Sequence, residues 1–337
     1  MSQIEDVLKK MGEDVVATHR VELKRMSDNV ETKLVKLKEL EMSISPKIEL
    51  VFPDHTTVLN EVTHEKFGQV LKLASDRHNV LLVGMAGVGK TKSSEQVATA
   101  LNLPFYAISV CSQTSKSDLV GYMNATGVYI KTHFRDAYEN GGVFLMDEVD
   151  AGNANVMVLM NSALSNGYCA FPDKMVKRHK DFIFIASANT FGQGASRQYV
   201  GRNQLDAATL DRFTIVNFDL DSNLERVIAR QYLKGILWLE VVNQTRQFVN
   251  NQAINALITP RATMKGASML DYMDLRQVTE IVLLNGIGIQ YAKPFWEFLE
   301  PTLKKVAADM VGGSSAGAAV VAPPNANGGM FSVRASS

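Results

Sequence analysis

The chain has 337 residues, 46% of them apolar, and its 35 Lys plus Arg are balanced by 35 Asp plus Glu. That length fits about two domains with a sizeable core, and zero net charge argues against coating nucleic acid by bulk electrostatics, a local basic patch aside. Cys111 and Cys169 are too few for a disulfide framework and are not spaced as metal ligands, so a reducing cytoplasm is the expected setting. With no signal-peptide order and no apolar run near the roughly 20 residues that span a bilayer, a soluble intracellular protein with no membrane partner is expected.

Residues 4–42 are dense in Lys and Glu. Ile4, Leu8, Met11 and Val15, then Leu23, Met26, Val30, Leu34 and Leu37, draw one apolar stripe at helical spacing. This predicts an N-terminal helical arm over residues 1–45, either a coiled coil that pairs with a partner or a solvated helix, ended by a hinge at Ser43–Pro46. Residues 48–52 alternate like a strand. Residues 62–74 read as a helix with Phe67, Val70, Leu71 and Leu73 as its apolar positions. His64, at its start, is a cap, a packing residue or a wall of a nucleotide base pocket.

The stretch NVLLVGMAGVGKTKSSE, residues 79–95, breaks an apolar run with glycines and ends on Lys90-Thr91. It reads as a buried strand, a phosphate-cradling loop and a helix start, and it matches the phosphate-loop pattern completely. Glycines let successive backbone N–H groups point inward. Gly84, Ala86, Gly87, Val88, Gly89, Lys90, Thr91 and Lys92 thus make a nest for polyphosphate at a helix N-terminus. Lys90 reaches the outer phosphates and the Thr91 hydroxyl binds magnesium.

Residues 103–110 read as a second buried strand. In the segment that follows, GVYIKTHF alternates like a short hairpin strand, and FRDAYENGG returns to helix and stops at its paired glycines. Tyr122, Met123, Tyr129 and Ile130 are candidates to grip a substrate; packing on the core is the other reading, above all for Tyr129 and Ile130. VFLMDEVD, residues 143–150, is a buried parallel strand whose carboxyl end carries Asp147 for a magnesium shell and Glu148 to orient or deprotonate the attacking water.

Residues 151–166 read as a helix with Val156, Val158, Leu159 and Leu164 in the core. A hairpin around Pro172-Asp173 carries the densest basic cluster, Lys174, Lys177, Arg178, His179 and Lys180, a solvated turn or a contact for an acidic or nucleic-acid substrate. DFIFIASANT, residues 181–190, is a further buried strand, which brings Asn189 out between the phosphate loop and the acidic strand. An amide there can hydrogen-bond the γ-phosphate and the attacking water. NQLD, residues 203–206, resembles a guanine-reading signature but has Gln204 in place of its lysine and lacks a preceding strand.

With GMAGVGKT, FLMDEVDAGNANV, IASANTFGQGA, YVGRNQLDAATLDRF and ITPRAT at 258–263 in this order, the chain resembles the AAA+ ATPases. Within them it resembles the MoxR-like group, which contains the ATPase subunit of cobalt chelatase and phage-encoded relatives. The resemblance covers roughly residues 60–265. It implies an α/β P-loop fold, a parallel sheet flanked by helices, with ATP and Mg2+ as cofactors. It makes Gly84–Thr91 Walker A, Asp147-Glu148 Walker B and Asn189 sensor 1. Arg212 becomes the arginine finger reaching a neighbouring subunit, with Arg197 and Arg202 as rivals, and Arg261 the sensor 2 arginine. It also implies a homo-oligomeric ring, usually a hexamer, that acts on a protein substrate or adaptor.

From Asp221 the pattern turns helical through residue 311, which fits a small all-helical lid behind a nucleotide-binding domain over residues 46–220. Residues 312–337 are small, Pro/Gly-rich and nearly uncharged, the composition of a disordered tail. Three functions follow as expectations: an ATP-hydrolysing motor that remodels a protein or protein–nucleic-acid complex, an ATPase subunit energising a metal chelatase, and a DNA-acting module.

Overall fold

The computed structural model describes residues 48–51, 56–59, 61–192, 194–195 and 199–312, together with His19, Lys24, Met26 and Ser27. The rest of the predicted N-terminal arm, the hinge at 43–46, Arg197 and the tail beyond residue 312 lie outside the described residues. The chain divides into two compact units, residues 1–34 with 307–337 and residues 35–306, and the candidate site lies wholly within the second.

Strands β1 (Ile48–Val51) and β2 (Thr56–Leu59) form an antiparallel ribbon. Helix α1 (Phe67–Ser75) starts five residues later than the periodicity predicts. The reason lies in what precedes it. His64 Nδ1 accepts the Lys66 N–H at 3.1 Å, leaving Nε2–H to donate to the Asp219 carbonyl at 2.9 Å, and the Glu65 N–H goes to Asp221 Oδ2 at 2.9 Å. The Lys66 bond is a local turn and the bonds to Asp219 and Asp221 are long-range, and together they hold this stretch outside a helix.

Strand β3 (Val80–Val83) is buried throughout and leads to helix α2 (Lys90–Ala100). Strand β4 (Phe105–Ser109) lies at the sheet edge and is half-buried, where the sequence predicts full burial. A short helix α3 (Lys116–Val120), held by a Ser115–Asp118 capping box, precedes the hairpin of β5 (Tyr122–Met123) and β6 (Tyr129–Ile130). Helix α4 (His133–Asn140) stops at Gly141, and β7 (Gly142–Asp147) follows at once. Helix α5 (Ala154–Asn166) then leads to a second hairpin, β8 (Tyr168–Ala170) with β9 (Met175–Lys177). Strand β10 (Phe182–Ala188), the one-turn helix α6 (Ala207–Leu210) and β11 (Thr214–Asn217) complete this part.

The central sheet has the order β11-β3-β10-β7-β4, all neighbours parallel. The two buried faces follow from period-two alternation. Leu81, Phe144, Phe182 and Phe184 pack with Phe134, Tyr138 and Met160 on one side; Val80, Leu82, Leu145, Ile183 and Ile185 pack with Val70 and Val97 on the other. Val158, expected in the core, is exposed, and Met157, Met160 and Ala163 take the inner face of α5 instead. Val156 and Leu164 are buried as expected, so the inner stripe runs through 156, 160, 163 and 164 at helical spacing and Val158 falls outside it.

Beyond residue 221 the structure is helical: α7 (Ser222–Arg230), α8 (Gly235–Asn251), α9 (Pro260–Met269), α10 (Leu275–Thr279), a π-helical turn over Glu280–Leu284, α11 (Asn285–Ile287) and α12 (Ala292–Gly312). Trp238 is fully buried among them and donates from Nε1 to the Ala262 carbonyl at 3.0 Å. Arg246 grips the buried Glu225 with two bonds of 2.7 Å, and Thr263 donates to the same carboxylate. Among the described residues no helix is long and apolar enough to cross a membrane.

Candidate functional site

Parallel strands place their carboxyl ends on one rim, and the candidate residues other than Arg212 gather there; Arg212 lies before the start of β11, its carbonyl accepting from Asn79 Nδ2 at 3.3 Å. Gly84 leaves β3 packed against the Phe218 carbonyl; a Cβ there would lie 1.9 Å from that oxygen. Gly87, at φ +80°, faces Thr259 and the stem of Arg261 at the start of α9, so the C-terminal helical region meets the loop at this point. Val88 is buried in the core, and Ala86 N–H donates to the Tyr199 hydroxyl at 2.9 Å.

The Lys90 ammonium is nearly buried. It donates to the Gly84 carbonyl at 2.6 Å, the Met85 carbonyl at 3.0 Å and Asn189 Oδ1 at 3.0 Å. Burial lowers its pKa to about 8, against the pull of Asp147, Asp150 and Glu148. Thr91 Oγ1 donates to Asp147 Oδ2 at 2.8 Å, while Ser187 donates to Asp147 Oδ1, which also takes the Glu148 N–H at 3.0 Å. Lys92 is exposed on α2, and its ammonium pairs with Glu61 at 2.9 Å and Glu95 at 3.1 Å.

Glu148 sits in the left-handed region at φ +59°, and its carboxylate is half-exposed beside Arg202. Arg202 Nη1 donates to Asp150 Oδ1 at 3.1 Å and to Glu148 Oε2 at 3.3 Å. Asp150, fully buried, is a residue that sequence reasoning missed. Its Oδ2 accepts the Asn189 N–H at 3.1 Å and the N–H and hydroxyl of Thr190 at 2.9 Å each. The signal available was a third acid two residues after the acidic pair, beyond Val149. Nothing local distinguishes it from a solvated one.

Arg212 touches none of these groups. Its guanidinium donates to Ser165 Oγ at 2.9 Å and to the Ala208 carbonyl. Arg261 is exposed at the first turn of α9 beside Gly87. His64 is buried and stacked on Phe218 with ring centroids 3.8 Å apart. In NQLD, Asn203 Nδ2 donates to the Gly152 carbonyl at 2.8 Å and Asp206 caps α6, so both polar residues are spent on structure.

The two hairpins meet at Arg135. It bonds Asp173 at 2.8 Å and Glu139 at 2.8 Å and lies 5.3 Å from the Tyr129 ring and 4.5 Å from the Phe171 ring. Tyr129 is thereby part of the body, whereas Tyr122, Met123 and Ile130 are exposed. The predicted basic cluster does not form one face. Lys174 is exposed but pairs with Glu139 at 2.7 Å, Arg178 packs on the Phe182 ring at 5.1 Å, and Lys177 and Lys180 are exposed.

Residues 79–213 match the model of an AAA domain of the dynein-related subfamily. The chain is a member of the AAA+ family. This AAA+ chain is 30% identical over 223 residues to the aerobic cobaltochelatase subunit CobS of Sinorhizobium sp., covering 58% of this chain and 66% of that protein. It is 24% identical over 245 residues to the Lon protease of Methanosphaera stadtmanae, covering 66% of this chain and 28% of that protein. The chain therefore spans only part of the length of either relative. Among solved structures, the RuvB Holliday junction branch migration motor of Thermotoga maritima matches at 18% identity and a TM-score of 0.38, over 71% of this chain and 70% of that one. The parallel five-stranded sheet, the phosphate loop after β3 and the helical region beyond residue 221 are the P-loop NTPase architecture expected of an AAA+ protein.

Proposed function

We propose that this AAA+ chain binds ATP with Mg2+ and hydrolyses it, as a MoxR-like ring motor that remodels a protein or protein–nucleic-acid complex. The observation that carries the hydrolytic part is the convergence of Lys90, Thr91, Asp147 and Asn189 through bonds of 2.8 to 3.0 Å at one rim of the sheet. Gly84, Ala86, Gly87, Val88, Gly89, Lys90, Thr91 and Lys92 supply the cradle, and Lys90 exchanges its carbonyl partners for phosphate oxygens. Thr91 and Asp147 are hard oxygen donors of the kind magnesium takes, and the ion when bound neutralises charge on the phosphate oxygens. Glu148 accepts the proton of the water that attacks the γ-phosphorus as the bond to the ADP oxygen breaks. Asn189 orients that water and the γ-phosphate.

Arg212 is the proposed finger toward a neighbouring subunit, supported by its bonding to Ser165 and Ala208 rather than to its own phosphate loop. Arg261 reaches over the site from the lid, supported by its place beside Gly87. The proposed division is an arm over residues 1–45, the nucleotide domain over 46–220, the lid over 221–311 and a tail over 312–337. The proposed assembly is a homo-oligomer, a hexamer, in the cytoplasm, with a protein substrate or adaptor; the exposed Tyr122, Met123 and Ile130 support a gripping hairpin.

A second reading is the ATPase subunit of a cobalt-type chelatase, favoured by the likeness to the cobaltochelatase subunit. A DNA-acting role has less support, since the basic cluster is split. Steady-state ATP hydrolysis tests the core of the proposal. Glu148→Gln is expected to bind ATP and turn over at least about a hundredfold more slowly, and turnover equal to the parent's sinks the assignment of Glu148. Capture of partners by Glu148→Gln in ATP then separates the roles: chelatase-like large subunits support the second reading, and a remodelled protein complex supports the first.

A further inference from the structure

Arg202 has two carboxylate partners in its own chain, and they are not equivalent. Asp150 is fully buried, and its Oδ1 lies 3.1 Å from Nη1. Glu148 is half-exposed, and its Oε2 lies 3.3 Å from Nη1 and 3.4 Å from Nη2. Asp150 is the fixed end of this fork. Glu148 is the end being held, through one oxygen, with Oε1 outside the fork.

The same buried carboxylate uses its other oxygen to fix the end of β10. Oδ2 accepts the Asn189 and Thr190 N–H groups at 3.1 and 2.9 Å and the Thr190 hydroxyl at 2.9 Å. The Asp150 carbonyl also takes the Asn203 N–H at 2.6 Å, which ties down the residue next to Arg202. On its outer side Arg202 faces the Tyr199 ring at 5.9 Å, whose hydroxyl accepts from Ala86 of the phosphate loop at 2.9 Å. Arg202 is only 14% exposed. An arginine so enclosed is committed to its own chain.

We propose that Arg202 is a cis-acting positioning residue: anchored on Asp150, it holds Glu148 in a fixed relation to Asn189, so that one buried carboxylate sets the distance between the proposed base and the proposed γ-phosphate sensor. This rests on the hydrolytic reading of Glu148, and it removes Arg202 from the candidates for a finger in trans. The guanidinium matters because Nη1 bridges Asp150 and Glu148 while Nη2 adds a second bond to Glu148 in a rigid plane; a single ammonium on a flexible stem loses that second hold and the fixed orientation. Loss of the fork leaves the phosphate cradle intact and lets Glu148 drift, and a misplacement of about 1 Å costs on the order of a hundredfold in rate.

The test uses the full chain in steady-state ATP hydrolysis, with thermal melting of each variant as the control for folding. Arg202→Lys keeps a charge opposite Asp150 and is expected to lower kcat about tenfold to a hundredfold with KM within about twofold, since uniform binding is untouched. Arg202→Gln, which keeps a hydrogen bond to Asp150, is expected to show the same split. Arg202→Lys subunits mixed with Glu148→Gln subunits are expected to show no more turnover than the two measured apart, because no site then has both groups from one chain. Turnover above that sum puts Arg202 across a subunit interface and overturns the proposal, as does a kcat equal to the parent's in both Arg202 variants. Parent-like turnover by Glu148→Gln alone overturns the hydrolytic reading itself. A slow Glu148→Gln with fast Arg202 variants overturns the positioning role alone.

Discussion

The Lys90 ammonium and the Asn189 side-chain oxygen meet at 3.0 Å, although they lie 99 positions apart in the chain. They meet because β10 lies between β3 and β7, so the end of β10 comes out between the phosphate loop and the acidic pair. Asn189→Ala removes an uncharged amide and leaves the backbone cradle in place. We expect ATP affinity within a few-fold of the parent and kcat lower by about a hundredfold. Equilibrium titration with a fluorescent ATP analogue, set beside steady-state turnover, checks this; loss of binding instead would show that Asn189 holds the loop rather than the reacting groups.

Asp147 is held from three directions by Thr91, Ser187 and the Glu148 N–H. Asp147→Asn keeps the shape and removes the charge that would face a divalent ion. The Mg2+ concentration for half-maximal turnover is expected to rise at least about tenfold, and EDTA is expected to stop turnover of the parent while leaving the melting temperature of the nucleotide-free protein unchanged. A variant with the parent's Mg2+ requirement would remove Asp147 from the metal site.

Gly84 is a packing constraint as much as a loop residue. A methyl group at this position would lie 1.9 Å from the rigid Phe218 carbonyl, and β11 and β3 would have to part. Gly84→Ala is expected to cost about 3 kcal/mol, measurable as a lower urea midpoint. An unchanged midpoint would mean that the sheet edge yields easily.

Acid sensitivity should trace in part to Glu139. Its bonds to Arg135 and then Lys174 hold the carboxyl at about 2, below the ordinary 4.5. The folded state therefore binds this proton less readily than the unfolded chain. The stabilisation is fully present above the unfolded value and is lost as pH falls from about 4.5 toward 2. Urea unfolding of the parent and of Glu139→Gln at several pH values should show a gap at pH 7 that narrows below 4.5. A constant gap would assign the effect to packing.

Much of the site was legible before the fold was known, because phosphate binding needs local backbone geometry. Glycines at set spacing, Lys90, Thr91 and a strand before them fall within one short run. Asp147 and Glu148 were legible for the same reason, as acids at the end of an apolar strand. The hairpins and the C-terminal helices are legible from period and turn chemistry, since each is a local structure. Val158 went wrong because a stripe of apolar residues does not say which of two neighbouring faces meets the core. For the basic cluster the solvated-turn reading agrees with the exposure of Lys174, Lys177 and Lys180, while the pairing of Lys174 with Glu139 and the packing of Arg178 on Phe182 depend on partners from other elements.

The sequence by itself determined the family, the phosphate loop and the acidic pair, all of which depend on residues within a few positions of each other. Only the tertiary structure decided that Asp150 is buried, that Arg202 points into its own chain, and that Asn189 and Glu148 share one anchor. Those facts depend on the strand order β11-β3-β10-β7-β4, which brings residues about 40 to 100 positions apart to one rim, and a charge's role is set by what surrounds it there.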